Sequence, residues 1–149
     1  MQTTTKSKTG FSLIEIMLAL ALIGVIGGLS APLVRGFFQR TRLAADQNRI
    51  AQTLRHGQVL AESGKRDSPW GVRINNKEII LFAGKSYASR NEKFDQVYSL
   101  RPSFTVSGPD EFVFAKLSGR PDTTGTITLE TAAGQSRSVS LNKIGTVSF

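Results

Sequence analysis

Lys8-Thr9-Gly10-Phe11-Ser12-Leu13-Ile14-Glu15-Ile16 and the apolar run behind it decide how the rest of this chain is read. A short polar leader with two lysines, Lys6 and Lys8, ends at Gly10. The 24 residues from Phe11 to Val34 then carry one charge, Glu15, close to their start. At about 1.5 Å per residue a helix of that length covers roughly 36 Å, against about 30 Å of bilayer hydrocarbon. Ile16 to Leu29 has no polar side chain. A carboxylate inside such a segment is costly, and Glu15 is therefore a candidate functional residue. An ordinary secretory signal carries its apolar region before the cleavage site. Here that region follows Gly10, so it would stay on the mature protein.

Gly10-Phe11-Ser12-Leu13-Ile14-Glu15 resembles the processing motif of type IV pilins and type II secretion pseudopilins. The resemblance implies cleavage between Gly10 and Phe11 by prepilin peptidase, then N-methylation of Phe11. It implies a subunit-assembly role for Glu15, at the fifth position of the mature chain, and a helix kink at Pro32. Gly24, Gly27, Gly28 and Pro32 weaken the second half of the segment, since Gly costs about 1 kcal/mol and Pro about 3 inside a helix.

Both sides of the apolar run are basic, with Lys6 and Lys8 before it and Arg35, Arg40 and Arg42 after it. The count of positive charges alone points the C-terminal side inward. The resemblance implies the reverse: a single-pass inner-membrane precursor with a cytoplasmic leader and a periplasmic bulk. We expect the second, because a peptidase at the cytoplasmic face must reach Gly10.

Net charge is +8 over 149 residues. Arg35–Arg66 holds seven basic and two acidic residues, whereas Asp67–Phe149 holds ten and eight. The basic character thus sits on the segment just after the apolar run. It suits phosphate headgroups, nucleic acid or acidic neighbours in an assembly, or simply makes a solvated helix face. There is no cysteine, hence no disulfide framework and no thiolate metal site.

Leu43, Gln47, Ile50, Ala51, Leu54 and Ala61 recur at helical spacing, with Arg42, Arg49, Gln52 and Arg55 on other faces. The spacing predicts an amphipathic helix over 35–63, stopped near Ser63-Gly64. From Pro69 the pattern is β. Trp70–Ile74 and Glu78–Ala83 flank Asn75-Asn76-Lys77 as a hairpin. Gly84–Asp95 has no periodicity and reads as loop. Val97–Leu100 and Phe104–Val106 are short strands, and Glu111–Leu117 is an alternating one. Gly125–Thr131, Ser136–Leu141 and Val147–Phe149 form a meander able to bury one face against a helix.

The meander's Gly-Thr-Ile-Thr-Leu, Val-Ser-Leu-Asn and Ile-Gly-Thr-Val, with Trp70-Gly71-Val72, are similar to GspH/FimT-type minor pilins. The expected fold is therefore α+β, the type IV pilin fold. A long N-terminal helix, membrane-spanning then amphipathic, packs on a C-terminal antiparallel β-sheet domain. The expected division is leader 1–10, membrane or filament-core helix 11–34, amphipathic helix 35–63 and β-rich periplasmic domain 64–149.

Catalytic chemistry finds little support. The single histidine, His56, sits on the amphipathic helix, and nothing in the sequence supplies a carboxylate to orient it or a nucleophile to face it. Asp110-Glu111 is an adjacent acidic pair whose side chains would point apart on a strand. No cofactor and no metal are expected. Trp70 and the phenylalanines, near Arg73, Arg90 and Arg101, could stack bases; a small β-domain more readily uses them as core.

The expectation is a non-enzymatic minor pilin or pseudopilin, near the filament tip and aiding assembly initiation. Its partners would be prepilin peptidase, other pilins of the filament, the inner-membrane assembly platform and, before assembly, membrane lipid. The alternative is a DNA-binding minor pilin for natural transformation, with nucleic acid as partner.

Overall fold

The computed structural model describes residues 10–100 and 104–149, and for residues 29–39 the backbone only. The leader through Thr9, the side chain of Pro32 with its expected kink, Arg35, and Arg101 with Pro102 lie outside the described residues. Helix α1 spans Leu13–Glu62, and the chain divides into two compact units, Met1–Gln39 and Arg40–Phe149.

In the first unit, the described part of α1 opens with Ser12, whose carbonyl accepts from the amides of Glu15 and Ile16 at 3.0 and 3.2 Å. Every described side chain from Phe11 to Gly28 is exposed. Among the described residues, no helix is long and apolar enough to cross a membrane. The apolar run continues past residue 28 into the residues described by backbone alone.

The second unit holds residues 40–62 of α1 and eight strands: β1 Trp70–Ile74, β2 Glu78–Ala83, β3 Gln96–Ser99, β4 Phe104–Ser107, β5 Glu111–Phe114, β6 Gly125–Thr131, β7 Ser136–Leu141 and β8 Val147–Ser148. They make two four-stranded antiparallel sheets, ordered β3-β2-β1-β5 and β4-β6-β7-β8. This is an α+β arrangement, a helix packed on antiparallel sheet.

The helix face predicted from spacing is the buried one: Leu43, Gln47, Ile50, Ala51, Leu54 and Ala61 are all buried. Two polar residues, Asp46 and Thr53, share that face, and Thr53 Oγ1 turns back on the Arg49 carbonyl at 2.9 Å. Opposite lie Val72, Leu81 and Phe114. A Cβ on Gly57 would stand 3.2 Å from Leu81 Cδ1 and Val72 Cγ2, so the helix comes close to the sheet at this glycine. One continuous core joins these residues to Phe104, Ile127, Leu129, Val139 and Leu141 of the second sheet. Burying each large apolar side chain contributes about 1.5–3 kcal/mol.

The hairpin has the expected bounds, and its turn has a visible cause. Asn75 Oδ1 accepts from the amides of Lys77 and Glu78 at 2.8 and 2.9 Å. Asn76 Oδ1 accepts from the amide of Val106 at 2.8 Å and ties the hairpin to β4.

Two expectations are corrected. The strand expected over Glu111–Leu117 ends at Phe114. Leu117 takes a positive φ of 67°, is exposed, and donates its amide to the Ala61 carbonyl at 2.9 Å. The chain leaves the sheet here to close over the end of α1, and a backbone bond to the helix replaces the strand pairing. The second correction concerns alternation. In the first sheet Ile80, Phe82 and Val113 are buried on the side away from the main core. The segment Gly84–Asp95, expected as plain loop, contains a short 3-10 turn, Glu92–Phe94, and its Tyr87 ring meets Phe82 edge-on at 5.8 Å. Gly71 completes this second layer: a Cβ there would lie 2.2 Å from the Phe82 ring.

Candidate functional site

Phe11, Glu15, Ile16, Ala19 and Leu20 share one surface of the first turns of α1. Glu15 stands in the first turn, where a negative charge complements the positive end of the helix dipole. Around it Phe11 is 81% exposed and Leu13 76%, and none of the large apolar side chains from there to Ile26 is less than 51% exposed. Among the described residues, Glu15 has an apolar surround with no cation in it.

Gly10 precedes the helix. A Cβ there would meet nothing within 4 Å, and the same holds at Gly24 and Gly28. No contact within the described chain therefore demands glycine at these positions, unlike Gly57 and Gly71.

The other residues singled out by sequence fall elsewhere. His56 is exposed beside Arg49, Gln52, Thr53 and the edge strand β3, and its imidazole makes no hydrogen bond among the described residues. Asp110 and Glu111 do diverge: Asp110 pairs with Arg73 at 3.5 Å, and Glu111 accepts from the Tyr87 amide at 2.8 Å. No group of three or more acidic or histidine side chains that could hold a metal occurs among the described residues.

Trp70 is core, 2% exposed, with its Nε1 donating to the Lys65 carbonyl at 2.9 Å. Phe82, Phe112 and Phe114 are fully buried. Arg73 and Arg90 lie over Tyr87, at 4.4 and 3.8 Å from the ring centroid. Arg90 Nε also donates to Asp95 Oδ2 at 2.7 Å, and that bond raises its pKa above the ordinary arginine value. These cations hold the loop on the sheet. No local pattern points to this arrangement, because Tyr87 and Arg90 sit in a stretch without periodicity.

The family model for the prokaryotic N-terminal methylation motif matches residues 5–31, the stretch that holds Gly10, Phe11 and Glu15. No curated protein and no solved structure matches the chain. The motif implies processing by prepilin peptidase, a membrane-anchored precursor and assembly with other pilins. An exposed apolar helix start with a lone carboxylate, a glycine that the fold itself does not need and this motif converge: the chain is a type IV pilin-like protein with a prepilin cleavage motif.

Proposed function

We propose that this chain is a minor pilin or pseudopilin, a non-catalytic structural subunit of a type II secretion pseudopilus or type IV pilus. It works at or near the tip and aids assembly initiation. The observation that carries this reading is the apolar surface of α1 from Phe11 to Ile26, exposed throughout, with a single carboxylate on it. Such a surface needs a cover from outside the chain. Lipid covers it before assembly, with the N-terminus cytoplasmic and the C-terminal domain periplasmic. Neighbouring helices cover it in the filament, where Gly24 and Gly28, one turn apart, allow close backbone approach.

In this reading cleavage after Gly10 leaves Phe11 as a methylated, still cationic, N-terminus. Glu15 of one subunit pairs with that charge on a neighbour and sets axial register, charge complementarity serving geometry more than affinity. The contact is head-to-tail and does not close, which is the geometry of a fibre. The segments 1–10, 11–34, 35–63 and 64–149 then serve as leader, filament core, amphipathic support and exposed domain, inserted through the assembly platform. Immunoblots of sheared filaments test it: Glu15→Ala should be processed and membrane-inserted yet fail to enter filaments. Normal incorporation of that variant would remove the register role.

A DNA-binding minor pilin is the second reading. Lys65, Arg66 and Lys93 gather around Phe94, and that cluster favours it. Two observations weigh against it. Arg66 already covers the Phe94 ring at 3.6 Å, and ten basic against eight acidic residues from Asp67 onward leave little net charge for phosphate. A gel-shift series in salt on residues 35–149 separates the two: tight binding with a steep salt slope supports the receptor, and none supports the structural subunit.

A further inference from the structure

A cavity of about 650 Å³ opens in the second unit between α1 and the start of β7. Its walls include Arg40, Leu43 and Gln47 from the helix, Gln135 and Arg137 from the β6–β7 turn and β7, and Phe149. Arg137 is out of place by the rules of strand patterning. It pairs directly with Leu129, just as Val139 pairs with Ile127, so it belongs to the face of β7 that carries core residues. Leu129 and Val139 are fully buried, yet Arg137 is exposed, because the core face runs out into this cavity.

The cavity's side-chain charge is one-sided. It has two guanidinium groups, and no acidic side chain lines it. Neither Arg40 nor Arg137 forms an ion pair among the described residues. Gln47, 6% exposed, donates one amide hydrogen to the Ser138 carbonyl at 2.7 Å and keeps a second. Gln135 has a buried Oε1 without a partner, which rotation of the side chain would offer to a hydroxyl donor. Leu43 and Phe149 add an apolar wall. Two cations, a spare amide N–H and a spare acceptor fit a phosphate diester that carries a hydroxyl.

Position along the chain selects the source. Arg40 lies six residues after Val34, the end of the apolar run. Even fully extended, six residues span at most about 20 Å. A membrane that holds the run therefore keeps Arg40 within reach of its headgroup layer.

We propose that this cavity binds the phosphate headgroup of an anionic phospholipid, and so seats the second unit on the membrane surface before assembly. The proposal rests on the membrane-anchored reading. It assigns a use to Arg40, one of the seven basic residues of Arg35–Arg66, that cleavage and filament register leave unexplained.

The test uses the full chain in uncharged detergent, examined by native mass spectrometry with phosphatidylglycerol or phosphatidylcholine. The expected result is preferential retention of phosphatidylglycerol. Arg40→Gln and Arg137→Gln should each cut that preference about fivefold, the scale of one arginine near an anionic surface. Arg137→Lys should keep most of it, and circular dichroism should be unchanged in all. Equal retention of the two lipids, or full preference in the double variant, overturns the proposal. Aggregation of Arg137→Gln with its lipid preference intact also overturns it, since the inward charge would then only guard the open half of β7. An inorganic phosphate titration that saturates the wild type but not the double variant, without preference between lipids, assigns the cavity to a free anion and overturns the headgroup source. If the full chain stays in solution without detergent, the anchoring reading fails instead, and the phosphate titration still reports on the cavity.

Discussion

Leu20 and Leu54 lie on the same helix and have opposite fates. Leu20 is 64% exposed and Leu54 is fully buried. Around Leu54, polar residues take the solvent side, and two sheets supply apolar partners to the other. Around Leu20 every face is apolar, and the described side chains there are exposed. A helix with one apolar stripe is completed by its own domain, whereas a helix apolar all round needs a solvent or a neighbour of the same kind. The glycines divide the same way. Gly57 and Gly71 are held by close contacts, and Gly10, Gly24 and Gly28 by none.

The comparison can be broken at several points. The largest effect should come from Gly10→Val. A branched side chain at the cleavage site should abolish processing while the second unit folds normally. Intact-mass measurement of wild type from cells with active prepilin peptidase should show a chain starting at Phe11 with an added methyl group. A wild-type chain that keeps Met1 to Gly10 in such cells would sink the processing assignment. Glu15→Ala comes next: severalfold less of it should reach sheared filaments, with cleavage unchanged.

Packing gives the third contrast. Phe112→Ala should cost about 3–5 kcal/mol in denaturant unfolding, as expected for a buried aromatic truncated to a cavity. Leu20→Ala should leave the unfolding midpoint of the second unit unmoved, and any shift there would deny the division. Deleting residues 1–34 should leave a monomeric chain with both helix and strand in its circular dichroism; loss of either signal would mean that the second unit depends on the first. The smallest effect is expected at Tyr87→Ala. It should loosen Gly84–Asp95 and speed proteolytic nicking there, with little change in global stability.

Much of this was legible without coordinates, for stated reasons. Helical and strand periodicities are local, so the buried face of α1 and the hairpin from Trp70 to Ala83 could be read directly. Asp46 and Thr53 were missed because residue type hid positions that the helical spacing itself marks as inward. The processing motif is linear, since a peptidase reads a peptide, and Gly10-Phe11 with Glu15 stands in the sequence complete.

Tertiary structure decided what depends on distant partners. That the strands form two sheets rather than one follows from pairings such as Trp70 with Phe114 and Phe104 with Thr131, which no local pattern encodes. The layer of Tyr87 and Arg90 over Phe82 depends on how a non-periodic loop returns to its sheet. Arg137 reads as an ordinary surface arginine until its register with Leu129 puts it on the core face of β7. Sequence determined which segments are apolar and where the methylation motif lies, because those properties belong to the chain's own chemistry. Whether an apolar residue is core or waiting surface, and whether a cation faces water or a cavity, was decided by contacts between residues far apart in the chain.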